Sequence, residues 1–257
     1  MKIVRFFAEG SIKYGFLENE NSVREISGSI FEHFETKKNI YNLVEVSLLS
    51  PCEPSKIICV GLNYRAHIEE FKRESSAIPE EPVLFLKPST AVIGPDSSIE
   101  LPGSSSRVDY EGELAVVIGK KARNITVEQA GDIIFGYTCA NDVTARDLQK
   151  KDGQWTRGKG FDTFAPLGPW IVTGLDTSDL RIQSYLNDEL RQDSTTSNMI
   201  FPVPRLVSFI SQIMTLLPGD VILTGTPEGV GQVKAGDVVK VVIEDIGTLR
   251  NTVVKPL

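Results

Sequence analysis

Two glutamates one residue apart, in Asp109-Tyr-Glu-Gly-Glu113, run directly into the apolar stretch Leu114-Ala-Val-Val-Ile118. On a β-strand side chains alternate with period two, which predicts Asp109, Glu111 and Glu113 on one face and Tyr110, Leu114, Val116 and Ile118 on the other. Two like charges at i and i+2 then lie roughly 7 Å apart. Beside so apolar a run, ionised carboxylates are costly unless they are paired or coordinate a cation. The same pattern on an edge strand would simply face water, so a metal reading needs a third ligand. Asp142 supplies one, at the end of a second apolar strand pattern, Ile134-Phe-Gly-Tyr-Thr-Cys-Ala-Asn141. Three carboxylates with no cysteine or histidine nearby in sequence make a hard, all-oxygen donor set. That set suits Mg2+ or Mn2+, with Ca2+ able to take the same place, better than zinc or copper.

Acid–base chemistry has few candidates, because the chain holds only two histidines, His33 and His67. His33 sits among charges in Ile30-Phe-Glu-His-Phe-Glu-Thr-Lys-Lys38, a polar amphipathic segment, and reads as solvated. His67 follows Gly61-Leu-Asn-Tyr-Arg-Ala, where the pattern turns helical from Ala66. His67 and Glu70 at i and i+3 share a helical face, close enough for the carboxylate to orient the imidazole. The same spacing also describes an ordinary solvated pair. After Asp142 a helical continuation would place Asp142, Arg146 and Gln149 on one face, a metal ligand beside an anion site. Lys159, between two glycines in a predicted loop or bulged strand, can approach a ligand closely. Gly225-Thr226-Pro227 ends a strand and offers a hydroxyl and free amides for an anion. Lys87, closing the apolar run Val83-Leu-Phe-Leu, is a strand-end surface charge or a buried counter-ion.

The elements that must position these residues are mostly strands. Short strand signals over Met1–Phe7, Lys13–Leu17 and Val23–Ile26 predict a small β-rich N-terminal domain. The two prolines of Leu48–Pro54 mark a linker, dividing residues 1–54 from a main domain at 55–257. Polar, proline-punctuated residues up to Pro82 predict a loop of the lid kind over Phe71–Pro82. Thr126-Val-Glu-Gln129 is a capping-box pattern opening a short helix. Ile182–Leu190 reads as a hairpin. Pro204–Leu217 is the clearest helix, with Leu206, Phe209, Ile210, Ile213 and Leu217 as its core stripe.

Composition narrows the class. The chain has 257 residues and 27 Lys plus Arg against 34 Asp plus Glu, a net charge of −7, which argues against a nucleic-acid surface. An odd set of three cysteines, Cys52, Cys59 and Cys139, lacks metal-site spacing, and Cys59 and Cys139 fall inside apolar strand patterns. They read as reduced thiols of a cytoplasmic protein. No apolar run approaches membrane-spanning length, and the first residues read as a strand rather than a signal peptide.

Taken together, Gly61–Glu70, Asp109–Glu113, Asn141-Asp-Val-Thr-Ala-Arg146-Asp, Lys159-Gly-Phe-Asp and Leu223-Thr-Gly-Thr-Pro227 resemble the fumarylacetoacetate hydrolase superfamily, in order over roughly residues 55–257. The resemblance implies an α+β, mainly β fold: a mixed β-sandwich roll with a small N-terminal β-rich domain, usually a homodimer. It implies that Glu111, Glu113 and Asp142 hold a magnesium or manganese ion and that His67 and Glu70 activate water. It implies that Lys159 faces the substrate and that Arg146, Gln149 and Thr226 contact its anionic groups. The expected activity is hydrolysis of a carbon–carbon bond in an acylpyruvate-type 2-oxo acid. Alternatives on the same half-site are 2-hydroxyhepta-2,4-diene-1,7-dioate isomerisation and oxaloacetate decarboxylation or tautomerisation. A non-catalytic, metal-stapled binding domain is the alternative of another class.

Overall fold

The computed structural model describes residues 1–70 and 78–255. Most of the predicted lid, residues 71–77, lies outside the described residues.

One large sheet organises the molecule. Its order runs Phe34–Asn42, Ser22–Gly28, Ser11–Asn19, Lys2–Ala8, Ala165–Val172, Ile134–Asn141, Gly112–Ile118, Val221–Leu223, Ile57–Gly61 and Val83–Lys87. The first four strands are a meander of consecutive hairpins, and Lys2–Ala8 joins it to the rest through Lys2↔Val172 and Ile3↔Ile171. A second sheet, Glu189–Thr195, Arg181–Leu186, Val238–Ile243, Gly247–Val254 and Ser98–Glu100, packs across the first. The fold is therefore α+β and dominated by strands.

The strand Gly112–Ile118 is buried along its whole length, on both faces. Leu114, Val116 and Ile118 join a core with Ile182, Val241 and Ile243 of the second sheet and Leu206, Val207 and Ile210 of a helix. Ala115 and Val117 enter a separate core with Ile3, Ile57, Cys59, Leu167 and Val221. Near-continuous apolar sequence is what a strand covered on both sides requires.

Four sequence expectations need correction. The helix spans Val203–Ile213 and stops short of Leu217; Phe209 is half-buried, while Ile213 and Leu217 are 52% and 37% exposed. Its buried stripe turns instead toward two serines. Ser208 donates to the Ile125 carbonyl at 2.9 Å, and Ser211 donates to the Ser208 carbonyl while accepting from the Ile125 amide. Hydroxyls satisfied in this way can replace apolar side chains in a core. At the capping box the Thr126 amide donates to Gln129 Oε1 at 3.0 Å, but the helix begins only at Ala130 and lasts to Ile133. The segment holding Lys159 is a single helical turn, Thr156–Lys159, not a loop or strand. Finally, Asp142, Arg146 and Gln149 do not share a helix: Thr144–Ala145 pairs with Val108–Tyr110, and the helix starts at Arg146.

Within Ile30–Lys38, the later residues extend into the strand Phe34–Asn42, held by pairing to Ser22–Gly28, and His33 is exposed. The hairpin Arg181–Leu186 and Glu189–Thr195 turns at Asn187 and Asp188, both with positive φ, as a primed two-residue turn demands. Cys52, Cys59 and Cys139 are buried free thiols. Among the described residues no helix is long and apolar enough to cross a membrane.

Candidate active site

Glu111, Glu113 and Asp142 converge. Each offers one carboxylate oxygen, these oxygens lie within 4.8 Å of one another, and all three residues are buried. Strand pairing explains the meeting. Gly112↔Asn141 and Glu113↔Ala140 align the start of one central strand with the end of its neighbour, and Asp142 follows directly, its amide donating to the Glu111 carbonyl at 2.8 Å. Glu111 itself lies in the break between Val108–Tyr110 and Gly112–Ile118, so the alternation predicted over Asp109–Glu113 is interrupted there.

Three buried cations face this cluster. Lys159 Nζ lies 2.8 Å from Glu111 Oε2 and 2.6 Å from Asp142 Oδ2. Lys87 Nζ lies 2.7 Å from Asp142 Oδ1 and donates to the carbonyls of Val143, Lys159 and Phe164 at 2.8–2.9 Å. Lys87 is thus the counter-ion, not the surface charge. Arg146 donates through Nε to Asp109 Oδ2 at 2.9 Å, through Nη2 to Glu111 Oε1, and through Nη1 to Gln149 Oε1 at 2.8 Å. Its helix turn, not a shared face with Asp142, brings it in.

The charges set the protonation states. Burial works to raise the Glu111 pKa, but Lys159 and Arg146 outweigh it and hold that carboxyl well below the usual range. Burial also opposes the charge on Lys159, yet Asp142 and Glu111 keep its pKa above normal. Lys87, with one carboxylate partner, is pulled down by burial despite Asp142. Glu113 goes the other way: burial, then Asp142 and Glu111, push its carboxyl well above the usual range. Among the described residues Glu113 has no ion pair; its Oε2 accepts only the Gly225 amide, at 2.6 Å. Among the described residues Asp109, Glu111 and Asp142 each pair with Lys87, Arg107, Arg146 or Lys159, and Glu113 alone of these four carboxylates has no cation partner. The residues therefore fit a divalent cation: the donors are hard oxygens, and the one carboxylate without a cation partner among the described residues sits among them. Such an ion would add positive charge that favours an anionic ligand.

His67 and Glu70 lie on the helix Arg65–Glu70, with His67 Nδ1 3.4 Å from Glu70 Oε2. His67 is buried and lies within electrostatic reach of Glu111. Both Glu70 oxygens stand 3.2 Å from the Gly229 amide, tying this helix to the loop after Gly225. Gly229 has φ 92°, and a Cβ there would come 2.1 Å from the Arg191 carbonyl, so the loop needs glycine. Thr226 is buried; its hydroxyl donates to the Gly112 carbonyl at 2.9 Å and accepts from Gln192 Nε2 at 2.8 Å. Gln149 is half-buried and holds Arg146.

Sequence reasoning left several supports unread. Asp109 fixes Arg146, and Gln192 ties Gly112, Thr226 and Pro227 together. Asn63 clamps Thr224 and Phe201. Asp109 carried a signal, being charged at the head of an apolar strand. Gln192 carried none, since its neighbours Arg191 and Asp193 are exposed.

Comparison with known proteins agrees with this geometry. The sequence profile described as fumarylacetoacetate (FAA) hydrolase C-terminal matches residues 56–254, and one described as Rv2993c-like, N-terminal matches residues 1–51. The chain belongs to the fumarylacetoacetate hydrolase family. The mitochondrial oxaloacetate tautomerase of Xenopus laevis is 44% identical over 252 residues, covering 93% of this chain and 77% of that one. The crystal structure of a 5-carboxymethyl-2-hydroxymuconate delta-isomerase from Mycobacterium smegmatis is 46% identical, with a TM-score of 0.93 and full coverage of both chains. Maleylpyruvate hydrolase from Sphingobium, solved with manganese(II) and pyruvate, is 30% identical, with a TM-score of 0.83 and full coverage of both.

Proposed function

We propose that the chain is a divalent-metal-dependent enzyme that moves a proton at the carbon beside the 2-oxo group of a short 2-oxo acid. Keto–enol tautomerisation of an oxaloacetate-like dicarboxylate is the reaction supported best. The observation that carries it is the His67–Glu70 pair within electrostatic reach of the three-carboxylate cluster. Likeness to an oxaloacetate tautomerase along 93% of the chain supports the same reading.

Glu111, Glu113 and Asp142 would hold Mg2+ or Mn2+, which would supply Lewis acidity toward a 2-oxo acid. Glu70 takes the Nδ1 proton side of His67 and leaves Nε2 as the base. His67 removes the proton from the carbon beside the oxo group and delivers it to the enolate oxygen, and the reverse transfer, from enol oxygen to carbon, restores the ketone. Lys159 adds fixed positive potential where negative charge develops on oxygen. Arg146, Gln149 and Thr226 shape the anion-facing wall.

Carbon–carbon hydrolysis of an acylpyruvate is the second reading, supported by the dyad's capacity to activate water and by the likeness to maleylpyruvate hydrolase. The wider reading takes residues 1–54 as a small domain and residues 55–257 as the catalytic one, working as a homodimer. The three free thiols suit a reducing compartment such as the cytoplasm. Ultraviolet assays of oxaloacetate enol decay, acetylpyruvate and fumarylpyruvate cleavage, and dienedioate isomerisation, with and without Mn2+, test these readings. Metal-dependent enol decay without cleavage selects tautomerisation, cleavage selects hydrolysis, and no turnover of any substrate leaves a binding domain.

A further inference from the structure

Gly112 stands between Glu111 and Glu113, and side chains from elsewhere hold both of its main-chain polar groups. Its amide donates to Gln192 Oε1 at 2.9 Å, and its carbonyl accepts the Thr226 hydroxyl at 2.9 Å. Gln192 Nε2 closes the ring by donating to Thr226 Oγ1 at 2.8 Å, and it also donates to the Pro227 carbonyl at 2.8 Å. An amide nitrogen has two hydrogens, and here both are spent on a side chain that is 1% exposed. Gln192 therefore has no donor left for a ligand, and its work is to hold other groups.

The hairpin is shaped to bring it there. Pairing slips by one residue between Ser184↔Gln192 and Tyr185↔Leu190, which leaves Arg191 as the extra residue of a bulge. Bulges re-aim the side chains beside them. The Arg191 carbonyl lies against Gly229, whose amide meets Glu70, so the same irregularity seats the loop after Gly225. On the other side, a Cβ on Gly112 would come 2.1 Å from Ser184 Oγ and 3.1 Å from Gln192 Oε1, so the missing side chain lets the hairpin close in between two carboxylates. The Gly225 amide, next to Thr226, holds Glu113 Oε2 at 2.6 Å. Loop and strand head are thus fastened together around the glutamates.

We propose that Gln192 and Thr226 are a positioning pair for the cation site: neither is a metal ligand, and the ring they close on Gly112 sets how Glu111 and Glu113 present their oxygens. The proposal rests on the reading of Glu111, Glu113 and Asp142 as that site. It gives the Thr226 hydroxyl a task separate from any contact with substrate.

Titration calorimetry with Mn2+ alone, run below the unfolding range together with ligand-free Tm measurements, compares the parent with Thr226→Val, Thr226→Ser, Gln192→Met and the Gln192→Met, Thr226→Val double variant. Thr226→Val and Gln192→Met should each lower Mn2+ affinity by about tenfold, the scale on which partners behind metal ligands act. Thr226→Ser keeps the hydroxyl and should bind Mn2+ like the parent. The double variant should lose about as much as one single variant, because both break the same ring. Variants that lower Tm yet bind Mn2+ like the parent overturn the proposal, since the ring would then serve the fold alone. Equal losses in Thr226→Ser and Thr226→Val overturn it as well, as does an additive loss near ~100-fold in the double variant. Where Gln192→Met does not fold, the contrast between Thr226→Val and Thr226→Ser decides. A parent that binds no Mn2+ overturns the cation site and this proposal with it, whereas parent-like Mn2+ binding in the variants overturns only the pair.

Discussion

Lys87 grips Asp142 from behind, its ammonium 2.7 Å from Oδ1 and 1% exposed, while Lys159 holds the other oxygen from the opposite side at 2.6 Å. The carboxylate that ends a central strand is thereby fixed in both position and charge. Breaking a buried pair by removing one partner leaves an uncompensated charge, at a cost of about 3–5 kcal/mol. Lys87→Met should therefore destabilise the fold by that order in denaturant titration, because Asp142 Oδ1 and three carbonyls lose their donor together. A loss below about 1 kcal/mol would show that the ammonium contributes little net stabilisation.

Glu113 should behave in the opposite way. Its charge is opposed by burial and by its neighbours, so Glu113→Gln relieves repulsion in the metal-free protein while removing a ligand oxygen. Thermal unfolding without metal should occur at the parent's Tm or above it, and Mn2+ affinity should fall by about tenfold or more. A lower Tm together with unchanged Mn2+ binding would remove Glu113 from the cation site.

His67→Ala separates proton transfer from charge stabilisation. Tautomerisation, and any acylpyruvate cleavage, should drop by about 10²–10⁴, the usual contribution of general acid–base catalysis. Decarboxylation of oxaloacetate needs mainly the cation and a sink for charge, so it should fall far less. Equal losses in all activities would mean that the imidazole serves something common to them, and its assignment as the base would be withdrawn.

Acid should destabilise the N-terminal strands through Glu25. Burial works to raise the Glu25 pKa, but hydrogen bonds from Lys37 at 2.6 Å, Asn39 at 3.0 Å and Tyr41 at 3.1 Å outweigh it and bring the pKa down to about 2. A folded pKa below the unfolded one stabilises the fold fully above the ordinary carboxyl value near ~4.3. That stabilisation is lost as pH falls from there toward 2. Glu25→Gln should flatten the Tm–pH curve in that window while leaving activity at neutral pH unchanged; a curve parallel to the parent's would show that Glu25 is not the responsive group.

Much of the site was legible because its residue types contradict their surroundings. Glu111 and Glu113 at the head of Leu114-Ala-Val-Val-Ile118, Asp142 at the end of another apolar strand, and Lys87 closing a third are charges where burial forbids them unless they meet. Three strands of the meander and the central strands followed from alternation and apolar runs, whereas Phe34–Asn42, polar and exposed along most of its length, is a strand only through its pairing to Ser22–Gly28. What could not be read was register. Nothing in the spacing of Asp142, Arg146 and Gln149 announces that Thr144–Ala145 pairs with Val108–Tyr110 and delays the helix to Arg146. The Val203–Ile213 helix misled for a related reason: Ser208 and Ser211 become core residues only through the carbonyls of Ile125 and Ser208, which hydropathy does not record.

The joint at Lys2↔Val172 and Ile3↔Ile171 bears on how the molecule stays dispersed. Without the first fifty residues, the Ile171–Val172 end of that strand would lose its partner, since Val92–Ile93 pairs only with Ala165 and Pro166, and its unpaired backbone groups would invite another chain to add a strand. As the molecule stands, the outermost strand on that side is Phe34–Asn42, exposed at Glu35, Lys37 and Lys38, and charged side chains there discourage edge-to-edge stacking. The N-terminal meander thus works as a guard rail against strand addition at that end of the sheet, and a fragment trimmed of it should be more prone to edge-to-edge aggregation.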